Sequence, residues 1–386
     1  MPRQYSNDYP LWQGPCGPGW NGGITQSMLG NFLSCRERFR LKNILGLVPH
    51  DKWNHKMGYG TMWHVCEEQH AAQQVGSPAN VKSWQHALEE YTTQQAAKYQ
   101  FQREEIWKWY TVCRIQFQEY VTFWQDHPDV KTRTPLLQEV QFDVPYTLPS
   151  GRVVRLRGKW DSVDLIPAHT DDQGRQWPTG IWLQENKTKG DIDQVQVERQ
   201  LSFDLQTMVY LIALRETKSN GNGHYRWERN PILGVRYNVV RRPLSGGKGS
   251  IKPHQAKQNK AKGTYTPAET EEHFYERLRA DYIAKEPEYW FFRVRAGISE
   301  QDIKVFKDTC LDPLLETVCF WYDRVIRKPV DSNSNWQALA QSMNYRTPFG
   351  IYSPLEEGES TEYDHCLATG SESTLRRVME LFPELK

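Results

Sequence analysis

Two acids and a lysine stand in an order that could support a metal-dependent cut of a phosphodiester. Gly158-Lys159-Trp160-Asp161 is followed, after a loop, by Glu185-Asn186-Lys187. Residues 181 to 189 alternate, so Ile181, Leu183, Glu185 and Lys187 share one face of a strand of period 2. A carboxylate and an ammonium thus stand side by side at the end of an otherwise apolar face. Burying that pair is costly unless something else shares the site. A divalent cation held by Glu185 and Asp161 would do so. The same triplet also reads as a plain ion pair at a sheet edge.

The elements that would position these groups can be read from the flanks. Residues 153 to 166 form a β-rich run in which Asp161 lies near the point where the chain leaves the sheet. Gly158 removes a side chain where another backbone or a substrate could approach. Residues 167 to 178, with two prolines, Asp, Gly and Gln, form a surface connection, so Asp161 and Glu185 can meet on neighbouring strands. Val140, Phe142, Val144 and Tyr146 alternate with polar residues as a half-buried strand, and Pro149-Ser150-Gly151 turns it into the Asp161 strand. A helix over about 195 to 215 follows, its core face Val197, Leu201, Leu205, Met208 and Ile212. Gln206 and Tyr210, four apart, share another face, which by itself reads as a tyrosine ring packed beneath a glutamine. Residues 232 to 242 give a further strand.

Upstream, residues 1 to 23 make an irregular arm and 24 to 47 a helix with Met28, Phe32, Cys35 and Phe39 in one apolar stripe. Arg36, Arg38, Arg40 and Lys42 decorate it, either as a solvated face or as a grip for phosphates. A second helix over 57 to 74 carries His64, Glu67 and Glu68 within about one turn. His50, His55 and His70 lie nearby, and composition does not choose among the four histidines. Residues 81 to 126 read as one or two long aromatic-studded helices without chemistry. Residues 243 to 263 form a mobile basic loop with five lysines, solvated or closing over an anionic substrate. Helix with one strand at 290 to 294 follows, and a loop-rich end with a short helix near 374 to 381.

The whole chain sets bounds. Its 386 residues can bury a sizeable core, and 48 Lys plus Arg against 47 Asp plus Glu leave no global basic field. Fifteen tryptophans and nineteen tyrosines suit both core packing and stacking surfaces. There is no apolar run long enough for a membrane span and no secretory leader, so a soluble protein is expected. Seven cysteines without a tight pair argue against a disulfide scaffold and for a reducing, cytoplasmic setting. His64-Val65-Cys66 has the wrong spacing for zinc.

Taken in order, the motifs resemble the RecB-type branch of the PD-(D/E)XK nuclease superfamily, which includes CRISPR-associated RecB-like exonucleases. Ser27-x-Leu29-x-x-Phe32-x-x-Cys35 with Arg38 and Phe39 is similar to that branch's opening helix, and Gly60-x-x-x-His64 with Glu67 to its histidine motif. Gln138-Glu139-Val140, then Gly158-x-x-Asp161, resembles the second motif, Glu185-x-Lys187-Thr188 the third, and Gln206-x-x-x-Tyr210 the trailing helix motif.

The resemblance implies an α/β, restriction-endonuclease-like core over 24–242, a mixed central sheet flanked by helices. A helical insertion at about 76–130, a basic loop over 243–265 and a helical completion over 266–386 would elaborate it. It implies Mg²⁺ or Mn²⁺ on His64, Asp161, Glu185 and the Asn186 carbonyl, with the Asn186 side chain facing away. Lys187 would position or help deprotonate a water, while Gln206 and Tyr210, with Arg36 and Arg38, would touch DNA. Function would be that of a metal-dependent DNA exonuclease in recombination, repair or replication, phage-encoded and acting in the bacterial cytoplasm. The rival is a non-catalytic DNA-binding or assembly subunit; a homo-oligomer or a recombination partner protein suits either. Members with an iron–sulfur cluster use one cysteine of the opening helix and three clustered near the C-terminus. Cys35 occupies the first position, but Cys310, Cys319 and Cys366 lack the compact spacing, so no cluster is expected.

Overall fold

The computed structural model describes residues 12–18, 21–34, 36–44, 53–74, 82–171, 174–193, 195, 197, 204–219, 230–244, 250–259 and 264–323. The predicted C-terminal helix near 374 to 381 and Cys35 lie outside the described residues. In chain order the sheet strands are β1 (Ile24–Thr25), β2 (Thr134–Thr147), β3 (Val153–Ile166), β4 (Gly180–Lys189), β5 (Ile232–Arg241) and β6 (Phe291–Gly297). The principal helices are α1 (Gln26–Ser34), α2 (His55–Gln74), α3 (Trp84–Lys98), α4 (Arg103–Trp124), α5 (Leu205–Ser219) and α6 (Asp312–Trp321).

β3 is the spine of the sheet. On one edge it pairs antiparallel with β2 along almost its whole length. On the other edge its first half pairs parallel with β1 at Leu156 and Arg157, and its second half pairs antiparallel with β4 from Ser162 to Ile166. β4 and β5 are parallel, and β6 closes the sheet antiparallel to β5. The parallel β4–β5 pair requires a crossover, which α5 supplies.

The two faces of the sheet are unlike. Val163, Ile181, Leu183, Val235 and Val239 form an apolar layer against Met208, Leu211 and Ile212 of α5. The opposite face carries Ser162, Asp164, Gln184, Asn186, Arg236 and Asn238, all buried. Near this face a second, aromatic core forms among α2, α4 and β6, in which Trp63 packs edge-on to Phe117 and Tyr120. The helices of residues 55–124 cover these polar positions. They must therefore satisfy one another: Arg133 and Arg236 both donate to Asp164 Oδ2, and Gln138 donates to Ser162 Oγ at 2.7 Å.

Several expected boundaries shift. The opening helix begins only at Gln26, because Ile24 and Thr25 join the sheet, and it passes through a short helical segment into a π-helical turn over Arg40–Ile44. Of the helix expected over about 195–215, residues 195 and 197 are helical, α5 runs Leu205–Ser219, and 198–203 lie outside the described residues. Part of the predicted basic loop is a hairpin, with Lys257–Asn259 paired to Thr264–Thr266. Asp161 lies in the middle of β3, not at its exit. Among the described residues no helix is long and apolar enough to cross a membrane.

Candidate metal centre

The site forms where β3 and β4 diverge. Their ladder stops at the pair Ser162–Gln184. The next amide of β4 in line, that of Asn186, donates instead to Asp161 Oδ2 at 2.8 Å. A carboxylate thus takes over from a ladder carbonyl at the fork, which fixes Asp161 relative to the strand that carries Glu185 and Lys187.

Period 2 keeps Glu185 and Lys187 on the α5 side, and the Lys187 ammonium donates to Glu185 Oε2 at 3.1 Å. Gln206, in the first turn of α5, closes a three-membered ring with them. Its carbonyl accepts from Lys187 at 2.9 Å and its amide donates to Glu185 Oε2 at 2.8 Å. The other carboxylate oxygen of Glu185, Oε1, is buried without a hydrogen-bond partner. Asn186 points its side chain to the opposite face, where Asn238 donates to it at 2.9 Å.

From the helical side, α2 delivers His64. Its Nδ1 lies 2.9 Å from Glu139 Oε1 and 3.7 Å from Asp161 Oδ1. α2 runs beside β4 here, and a β-carbon at Gly60 would make only an ordinary contact, 3.5 Å from Thr188 Oγ1. Glu139 was missing from the expected ligand set, although Gln138-Glu139-Val140 was singled out as a motif. Strict alternation put it on the wet side of β2 with Gln141 and Asp143. Its backbone instead turns left-handed, with φ 51°, an uncommon conformation for a glutamate that re-aims the carboxylate at His64 and Lys159.

Burial dominates the electrostatics. It pushes the Glu185 carboxyl up to about 8, the Asp161 charge adding to the rise and Lys187 opposing it. Asp161 is raised by the same desolvation, tempered by His64. Burial alone would lower His64, but the Asp161 charge and the Glu139 hydrogen bond bring it up to about 9. Glu139 is depressed despite its burial, because His64 and Lys159 both face it. Burial would likewise lower Lys187, yet Glu185 and Asp161 raise it, so it remains an ammonium.

These groups fit a hard divalent cation. One nitrogen of His64 and one oxygen each from Glu139 and Asp161 lie within 4.8 Å of one another. Oxygen donors with a single imidazole suit Mg²⁺ or Mn²⁺. The orphaned Oε1 of Glu185 is an acceptor that a cation would satisfy, since an unpaired buried carboxylate oxygen is otherwise destabilising.

The other expected residues take mixed places. Tyr210 packs edge-on against Phe142, and a β-carbon at Gly158 would stand 2.6 Å from the Phe142 ring and 3.0 Å from the Tyr210 ring. Gly158 therefore makes room for two side chains, not for a backbone or a substrate. Arg36 lies over the Phe32 ring at 5.1 Å; the Arg38 side chain lies outside the described part. Glu67, one turn from His64, is buried and accepts from Asn238 at 3.1 Å, away from the cluster. Cys16 neighbours Cys319, and Cys66 neighbours Cys113.

A family model described as the PD-(D/E)XK nuclease superfamily matches residues 24–302. The chain belongs to this superfamily. The mixed sheet flanked by helices is accordingly its restriction-endonuclease-like fold, and PD-(D/E)XK proteins are nucleases that use divalent metals such as Mg²⁺ or Mn²⁺. A comparison with curated protein sequences gave no match. A solved structure described as the crystal structure of SSO0001 is similar at 11% identity, over 84% of this chain and 96% of that one, with a TM-score of 0.21. At that score the likeness carries no argument.

Proposed function

We propose that this PD-(D/E)XK protein is a divalent-metal-dependent deoxyribonuclease of the RecB-type branch, acting as an exonuclease on DNA in recombination, repair or replication. The carrying observation is the fork of β3 and β4, where Asp161, Glu185 and Lys187 converge with a carboxylate oxygen left unpaired. The branch assignment draws on His64 of α2 standing against Asp161, and on Gln206 of α5 bridging Glu185 and Lys187.

In this reading Asp161, Glu185, Glu139 and His64 hold the cation, together with the Asn186 carbonyl. The ion supplies Lewis-acid stabilisation of charge on the scissile phosphate and a more acidic bound water. The chain's own groups do the rest. Lys187, held as an ammonium, orients the attacking water and offsets negative charge gathering on the phosphate. An ammonium has no lone pair to take a proton, so proton removal does not fall to Lys187 in this state. Gln206 keeps the Lys187 ammonium and the Glu185 carboxylate in register. Tyr210, wedged on Phe142, holds α5 against β2 and β3.

The test is degradation of end-labelled single- and double-stranded DNA with Mg²⁺ or Mn²⁺, alongside Glu185→Ala and Lys187→Ala. Loss of a clear wild-type activity in both variants is expected, and the position of the label reports polarity. A wild-type protein that binds DNA yet cuts nothing with either metal would sink the nuclease reading and leave a DNA-binding subunit.

A further inference from the structure

The interior holds a second charged system, on the polar face of the sheet and apart from the metal centre. Arg133 and Arg236 share Asp164. Glu67 is held by Asn238. A third guanidinium, that of Arg293 on β6, donates to the Tyr120 hydroxyl at 3.1 Å and lies 4.1 Å from the centroid of the Trp124 ring. Among the described residues no carboxylate pairs with it, and its Nε and Nη1 are buried without a hydrogen-bond partner. Three guanidiniums thus face two carboxylates.

Beside Arg293 opens a cavity of about 320 Å³, whose lining includes Lys131, Arg133, His70, Gln125 and Tyr120, with Glu67 as its one carboxylate. That volume is at the lower end for small-ligand sites, which run from roughly 300 Å³ upward. Arg293 is half-buried, so water could fill the space and satisfy its donors, but water brings no charge to match the guanidinium. A guanidinium with two unused donors matches an oxyanion with paired oxygens.

We propose that this cavity binds a small phosphate-type oxyanion, held by Arg293 from the sheet and Lys131 at the rim. Lys131 is available for this because its only described ion pair, with Asp126 at 2.7 Å, is solvent-exposed and weakly held. The occupant would also touch the metal centre indirectly. The Asn238 amide lies within hydrogen-bond distance of Glu67 Oε1, of the Tyr120 hydroxyl (2.8 Å) and of Asn186 Oδ1 (2.9 Å), and the Asn186 amide holds Asp161. Two asparagines therefore separate the cavity wall from a proposed metal ligand. The phosphoryl group could belong to a free mononucleotide or to a DNA strand end, and both present the same chemistry. The proposal does not depend on whether the metal centre cuts.

The experiment is calorimetric titration of the metal-free protein, in chelator and at constant ionic strength, with inorganic phosphate. Saturable binding is expected for wild type, and Arg293→Met should weaken it about tenfold or more, the scale of a lost charged hydrogen bond. Lys131→Ala and Gln125→Ala, both at exposed positions, should weaken it less, and they carry the test if Arg293→Met does not fold. Competition by a 5′-mononucleotide assigns the group to free nucleotides, and competition by a 5′-phosphorylated oligonucleotide assigns it to strand ends; either supports the site. No binding by wild type, or binding that resists all three substitutions, overturns it. So does phosphate affinity that falls with Lys187→Ala while surviving Arg293→Met, since the anion would then sit in the metal centre.

Discussion

Replacing Glu185 by glutamine should stabilise the metal-free protein at high pH while abolishing its response to metal. The Glu185 carboxyl is fully buried, and its proton affinity rises from the ordinary 4.5 to about 8, chiefly through desolvation. The folded state therefore holds this proton more tightly than the unfolded chain. Folding takes up a proton between the two values, and stability falls as pH rises from 4.5 through about 8. Each tenfold change in proton affinity is worth about 1.4 kcal/mol, so the full penalty above pH 8 has a ceiling of about 5 kcal/mol. Glutamine resembles the protonated acid in shape and charge and escapes this penalty. Denaturant titrations in chelator at about pH 4, 7 and 9 should show the two proteins converging at the acid end and the variant ahead by ~2–5 kcal/mol at the alkaline end. Adding Mn²⁺ should raise the wild-type midpoint and leave the variant's nearly unchanged. A wild type more stable than the variant at alkaline pH without metal would refute the reasoning, because it would mean that ionised Glu185 is already well compensated by Lys187 and Gln206.

Glu139→Gly relieves a left-handed glutamate, worth about 1 kcal/mol in backbone strain, but removes the carboxylate facing His64. The metal-free variant should show the His64 pKa falling from about 9 towards ordinary histidine values in an NMR titration, and a weaker thermal response to Mn²⁺. Gly158→Ala should lower stability by about 1–3 kcal/mol through overlap with Phe142 and Tyr210, read from the denaturant midpoint. Tyr146→Phe removes the hydroxyl that donates to buried Asp312 and ties β2 to α6. It should cost about 1–3 kcal/mol in a thermal or chemical melt, with far-UV circular dichroism unchanged.

The strand that carries Glu185 and Lys187 was legible because its alternation coincides with a real division between an apolar α5 side and a polar side. The half-buried run from Val140 to Tyr146 was legible for the same reason. What alternation does not encode is whether a polar face meets water or a covering layer. Asp164, Gln184, Arg236 and Asn238 look like ordinary solvent-facing residues until the helices of residues 55–124 close over them. Those helices looked inert, yet Tyr120 and Trp124 flank Arg293. Glu139 escaped detection because a single left-handed residue changes where a side chain points without changing the pattern around it. Ile24 and Thr25 were hidden for a simpler reason: two residues are too few to show a period.

The buried polar face also works as a register key. A slip of one residue in β5 would turn Arg236 into the layer shared by Leu183, Val239 and Met208, and would take from Asp164 one of its two cationic partners. Either result would cost several kcal/mol, as breaking a buried charge pair does. A purely apolar strand could slide along β4 at much lower cost. Because β4 carries Glu185 and Lys187, and β3 carries Asp161, Arg236, which donates to both Asp164 of β3 and Gln184 of β4, resists misalignment of the strands on which any metal site at the fork depends. It makes misregistered strand pairings high in energy whether or not a metal is bound.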